Sequence, residues 1–324
     1  MPPTPQAGAV GAAHGVAHPG ELALGPDQFH EPRRRDCPWC GSRRLRTLLR
    51  TRDLLQHKPG IFVLDECQDC AHAFQNPRLT AEGQAYYHRD FPHETLPVRI
   101  LRTRAGRGRH LALARAMLTY PEPESWLDVG TGYGRFPAAA REVHPYTAFD
   151  GTDPSARVER ARVLGRIEEA YRGRLPDLVE RLRARYDVVS MLHHLEHSPD
   201  PREELRAALA VLRPGGHLLV EVTDPDCEFG TLLGKWWLSY GQPRHLHLVP
   251  LSNLLGELEA LGCAVVCVDR CSPHVPYDLT GAVSLRLAGR CAPALAVPFA
   301  LDHALAPLLR RTRFSNSYRV IVRR

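Results

Sequence analysis

No part of this sequence reads as a membrane span: its most apolar helical stretch, PALAVPFALDHALAPLLRR over 293–311, is interrupted by prolines. An export signal is equally absent, because residues 1–35 are rich in Pro, Gly, Ala and His and carry no apolar core. A disordered tail over 1–35, reduced thiols and a cytoplasmic chain are therefore expected. Aromatic residues make up only 7% of the chain and no basic segment is interleaved with them, so nucleic acid is not the expected partner. The net charge of +6 still admits a small anionic one. A chain of 324 residues is long enough for one α/β domain and a small satellite.

The stretch Ser125–Phe136, SWLDVGTGYGRF, carries the most information. Trp126, Leu127 and Val129 read as the end of a buried strand, while Gly130, Gly132 and Gly134 let the backbone turn and approach a ligand closely. The loop runs G-x-G-x-G after Asp128, which departs from the G-x-G-x-x-G of dinucleotide sites. A generic phosphate-binding turn is the alternative reading.

Further landmarks follow. PYTAFDGTDPS, residues 145–155, is a short strand ending in acids about twenty residues after the loop, where a carboxylate can accept hydrogen bonds from ribose hydroxyls. Asp153, followed by Pro154, Ser155 and a helical run, is the choice for that role, and Asp150 is read as capping the turn. YDVVSMLHHLEHSPDP, residues 186–201, is a β-branched strand running into a histidine cluster. His193, Glu196 and His197 match H-x-x-E-H, but a strand precedes them and Ser198, Pro199 and Pro201 break the chain after them, so a zinc-protease helix is excluded. RPGGHLLVEVTDPD, residues 213–226, reads as a tight turn into another strand.

In this order, Trp126 to Val222 resembles the class I S-adenosylmethionine-dependent methyltransferases. The resemblance implies an α/β, doubly wound, seven-stranded Rossmann-like sheet over 95–324, with the last strand inserted antiparallel. By pattern alone, however, the ending SNSYRVIVRR reads as an edge strand. In that family Asp128, Gly130, Thr131, Gly132 and Gly134 would hold the amino-acid end of the cofactor, and Asp153 with Pro154 its ribose. Leu192 and His193, at the end of the fourth strand, are assigned to the cofactor as well. The later segment resembles sugar C-methyltransferases, whose Tyr-Asp-Glu-His supplies a general base. Here Gln242, Pro243, Arg244 and His245 stand there, so His245 is the first candidate base, titrating near neutral pH, with a lid brace as its alternative. His194 is the second candidate. A helix capped by Ser252 and a strand after Gly262 should follow.

Ahead of the catalytic part, Cys37 with Cys40 and Cys67 with Cys70 form two C-x-x-C pairs, the spacing at which two turns clasp a tetrahedral zinc ion. Two independent reduced pairs are the alternative, and His72 could replace one thiolate. The module and its linker are expected over 36–94, in line with the zinc-binding half of bacterial sugar and natural-product methyltransferases. Even spacing should put Cys263, Cys267 and Cys271 on one strand face in the core.

The expected function is S-adenosylmethionine-dependent methylation, O- or C-, of a small and possibly anionic acceptor in sugar or secondary-metabolite biosynthesis. A ribosomal or transfer RNA base methyltransferase is one alternative. A non-catalytic cofactor-binding interaction protein is the other.

Overall fold

The computed structural model describes residues 26–89, 96–270, 276–287 and 292–324. Two sheets organise it. The first uses β1 (Leu45–Thr51), β2 (Phe62–Cys67) and β3 (Ala73–Gln75). The second uses β4 (Ser125–Val129), β5 (Ala148–Asp153), β6 (Ala170–Arg172), β7 (Tyr186–Leu192) and β8 (Leu212–Thr223). Then β9 (His247–Leu248) returns to the first sheet, while β10 (Ala264–Asp269) and β11 (Ser317–Arg323) complete the second. The helices, in chain order, begin with α1 (Ala81–His88), α2 (Leu96–Ala116) and α3 (Arg135–Ala140). They continue with α4 (Arg157–Val163), α5 (Leu175–Leu182), α6 (Pro201–Val211) and α7 (Glu228–Leu233). The last are α8 (Leu251–Ala260), α9 (Asp278–Arg286) and α10 (Ala296–Leu309).

The large sheet runs β10-β11-β8-β7-β4-β5-β6, seven strands with β11 antiparallel to both neighbours. Its central strands are buried on both faces, which is why they read as near-continuous apolar runs. Along β4, Trp126 faces a core with Leu113, Phe136 and Phe149, while Leu127 and Val129 face the opposite core with Leu205, Leu254 and Leu258. Helices α2 and α3 thus cover one face and α6 and α8 the other, the doubly wound arrangement that the motif order implied.

Several local expectations need correction. The ending does form a strand, but β11 is interior, and its residues Ser317 to Val322 are all buried. Val320 and Val322 pack into one core and Ile321 into the other, so an all-apolar centre marked a two-faced strand. Ser252 is the second residue of α8, after Pro250 in the cap position. A break in register between Val265 and Cys267 turns β10 over, so Cys263 packs with one core and Cys267 with the other. Cys271 lies outside the described residues.

Of the expected tail, residues 1–25 also lie outside them. Residues 26–35 instead dock on the cysteine module: His30 bridges to Leu79, and Arg33 pairs with the buried Asp65 at 2.6 Å. The small sheet, β1-β2-β3-β9, takes its last strand from the segment after His245. Among the described residues no helix is long and apolar enough to cross a membrane.

Candidate active site

The glycine loop leaves β4 through three left-handed residues, Gly130 (φ 73°), Gly132 (φ 54°) and Gly134 (φ 67°). The amides of Gly130 and Thr131 both donate to Thr152 O at 2.9 Å, which stitches the loop to β5. The Gly132 amide donates to Asp153 Oδ2 at 3.0 Å, so the two landmarks expected to share the cofactor are in direct contact. A Cβ added at Gly132 would meet nothing but that Oδ2, at 3.9 Å: the space beside the loop and the acid is open. Asp153 Oδ1 accepts from the Ser155 amide and hydroxyl, which fixes the carboxylate. Pro154 is exposed next to it. Asp150 is unavailable, because it accepts from Tyr186 Oη at 2.8 Å and from the Glu169 amide.

Asp128 is buried under the loop and accepts from Ser190 Oγ at 2.7 Å. Burial pushes its carboxyl up to about 6, against the hydrogen bond from Ser190. Thr131 packs its methyl where a side chain on Gly151 would be, which explains a glycine inside β5.

Leu192 ends β7, and the chain then turns through His193 (φ 51°) into a single 3-10 turn, Leu195–His197, not a protease helix. His193 is held between carboxylates, with Nδ1 2.9 Å from Glu196 and Nε2 3.4 Å from Glu221. Burial lowers its pKa and Arg109 opposes the charge too, but the two acids win and the net shift is upward. His194 Nε2 lies 3.2 Å from buried Glu204, and its ring sits where a Cβ on Gly130 would go, 2.6 Å from Nδ1. Its pKa is likewise raised: burial works against the imidazolium, and Glu204 more than compensates. His194 thus packs against the glycine loop, and the His193 side chain sits in a network of acids.

His245 has the opposite environment. Its Nδ1 donates to Ser239 O at 2.9 Å, leaving the Nε2 lone pair as the acceptor. Burial lowers its pKa to about 4, so the ring is neutral at pH 7. The segment is fastened to the turn after β7 by Leu246 N to Glu196 O at 2.6 Å and by His197 Nδ1 to Arg244 O at 3.0 Å. The rings of His245 and His197 meet edge-on with centroids 4.8 Å apart. Gly241 (φ 60°) makes this possible, since a Cβ there would fall 2.3 Å from the His245 ring.

Sequence reasoning missed the acids. Glu196 sat inside a rejected motif, and Glu221 was visible as a lone acid in the apolar VEVT run. Nothing marked Arg109, which reaches Glu221 from α2. Glu204, on the inner side of α6, looked like an ordinary first-turn acid.

In the module, Cys37, Cys40, Cys67 and Cys70 converge, with their sulfurs all within 4.8 Å of one another. His72 is not among them; its Nε2 faces His247 Nδ1 at 3.0 Å.

The ubiquinone biosynthesis O-methyltransferase of Alkalilimnicola ehrlichii is 31% identical over 126 residues, 37% of this chain and 51% of that protein. The protein of the same name from Idiomarina loihiensis is 28% identical over 153 residues, 44% and 63% of the two chains. The chain thus spans less than two thirds of the length of these curated relatives. A solved SAM-dependent methyltransferase from Archaeoglobus fulgidus aligns at 19% identity with a TM-score of 0.48, over 67% of this chain and 94% of that one. A family model described as a methyltransferase domain matches residues 99–268, more than half of the chain, and the chain belongs to that family.

Proposed function

We propose that this chain transfers a methyl group from S-adenosylmethionine to a hydroxyl or carbon of a small molecule, in sugar or other secondary-metabolite biosynthesis. This reading rests on the contact of Gly132 with Asp153 beside open space, together with the His245 ring, whose Nδ1 is held by Ser239 O. The sulfonium supplies an activated methyl group. The acceptor's electron pair forms the new bond, the S–CH₃ pair returns to sulfur, and the acceptor proton passes to His245 Nε2. The relatives from Alkalilimnicola ehrlichii and Idiomarina loihiensis are O-methyltransferases, which favours a hydroxyl acceptor.

The reading includes one structural zinc ion on Cys37, Cys40, Cys67 and Cys70. A tetrahedral site with Zn–S near 2.3 Å puts its sulfurs about 3.8 Å apart. Cys37 and Cys70 lie 3.7 Å apart and Cys40 and Cys67 3.5 Å, so the donor set fits. A closed four-thiolate shell leaves no position for an acceptor, which makes the ion a support for the module. A cytoplasmic location goes with this reading, since thiols stay reduced there.

Calorimetric titration of S-adenosylmethionine tests it. Gly132→Val should abolish binding by filling the open space, and Asp153→Ala should weaken it by about 1.5–3 kcal/mol through lost charge-assisted hydrogen bonds. Unchanged affinity in both variants would overturn the assignment.

A further inference from the structure

Between the cysteine module and the start of α6 lies an open cleft of ≈ 490 Å³, within the size range of small-molecule sites. Five arginines line it: Arg34, Arg78, Arg174, Arg202 and Arg206. Only Asp200 and Glu203 oppose them on the wall, and Asp200 is already engaged by the Arg202 and Glu203 amides as the cap of α6.

The guanidinium groups are braced by acids. Arg202 and Arg206 share Glu257, Arg174 holds Glu203 at 2.8 Å, Arg78 pairs with Glu31, and Arg34 with Asp36. Arg78 also donates to Pro199 O and Arg174 lies 3.7 Å from buried Glu204, yet each guanidinium has five N–H groups, so a braced arginine still presents donors to a second oxyanion. His72 also lines the cleft, and its buried Nδ1 has no hydrogen-bond partner. If His247 Nε2–H donates to Pro199 O and His72 Nε2–H donates to His247 Nδ1, that Nδ1 is a bare acceptor.

The cleft adjoins the proposed site of methyl transfer. Pro199 and His247 line it, two residues beyond His197 and His245 on the same two segments. Two extended residues span about 7 Å. We propose that this cleft binds the phosphate group of a phosphorylated small molecule, the methyl acceptor, holding it beyond His245. Clustered guanidinium donors match a multiply charged oxyanion, and the unfilled His72 acceptor matches a neighbouring hydroxyl. The acceptor role rests on the methyltransferase reading; the phosphate site does not.

The test is titration calorimetry of the full chain with inorganic pyrophosphate and with a sugar phosphate at low ionic strength. Saturable one-to-one binding is expected, weakened at least tenfold in Arg34→Gln/Arg206→Gln and unchanged in Arg50→Gln/Arg183→Gln, whose exposed arginines lie outside the cleft. No saturable binding, or equal loss in both variants, overturns the site. A single-stranded RNA that binds more tightly, with the same dependence on Arg34 and Arg206, overturns the small-molecule assignment. S-adenosylmethionine titrated into the same proteins separates the two readings: its failure to bind would sink the methyltransferase reading, while pyrophosphate binding would still establish the cleft.

Discussion

At the scale of single residues, burial and neighbouring carboxylates together set the direction in which each histidine is shifted. The carboxylates beside His193 and His194 shift both rings upward, whereas at His245, whose Nδ1 donates to a backbone carbonyl, burial outweighs Glu196 and lowers the ring to about 4. If His245 is the base, His245→Ala should lower turnover by roughly 10²–10⁴-fold with S-adenosylmethionine affinity unchanged, because a proton acceptor acts in the transition state. A raised acceptor Michaelis constant with turnover intact would instead assign it to bracing the lid. The expectation of a limb near neutral pH also changes. With the ring lowered to about 4, protonation should not cut turnover until well below pH 6, so kcat should be flat from pH 8 to 6. A kcat profile falling through pH 6.5 would contradict that environment. Gly241→Ala should reproduce much of the turnover loss, since both its left-handed φ and the His245 ring exclude a Cβ.

At the scale of elements, the pairing of β9 with β3 joins the cysteine module to the segment that carries His245. Gln75 Nε2 adds bonds to Gln242 Oε1 at 2.9 Å and Pro243 O at 3.0 Å, and Asn253 Nδ2 bonds Cys70 O. Removal of the proposed zinc should therefore loosen residues 36–88 and the lid around 242–248 together, leaving β4, β7 and β8 protected. Hydrogen exchange before and after strong chelation measures this; a lid that keeps full protection would show that the module does not brace it. Elemental analysis of reduced protein should give one zinc per chain. This coupling was not legible in the sequence, because a two-residue strand has no periodicity to read. The same limit applies to β10, where one irregularity moved Cys267 across the sheet. The glycine loop, Asp153, the turn after β7 and the four cysteines were legible because each is a local pattern imposed by backbone geometry or ligand spacing. Glu204 and Arg109 were not, since their roles come from partners 10 and 112 residues away.

At the scale of the whole molecule, the buried neutral histidines set the response to acid. His110, His245 and His247 are each lowered by burial to about 4, while in the unfolded chain they titrate near 6.5. Between those values the unfolded state binds more protons, so stability should fall as pH drops through that window, by about 1.4 kcal/mol per pH unit for each proton. His193 and His194, with raised values, act in the other direction: their stabilisation is full below about 6.5 and is lost as pH rises through their folded values. The lowered group is larger, so denaturant midpoints should be lower at pH 5 than at pH 7, and equal midpoints would argue against buried neutral rings.

Methyl transfer to a small molecule is open to direct assay. Its most direct measurement incubates the purified chain with methyl-labelled S-adenosylmethionine and a metabolite extract, with mass detection of what gains the label. Label is expected in a small molecule, on oxygen or carbon, dependent on Asp153 and His245. Label appearing only in RNA, or cofactor binding with no labelled product from any extract, would contradict it.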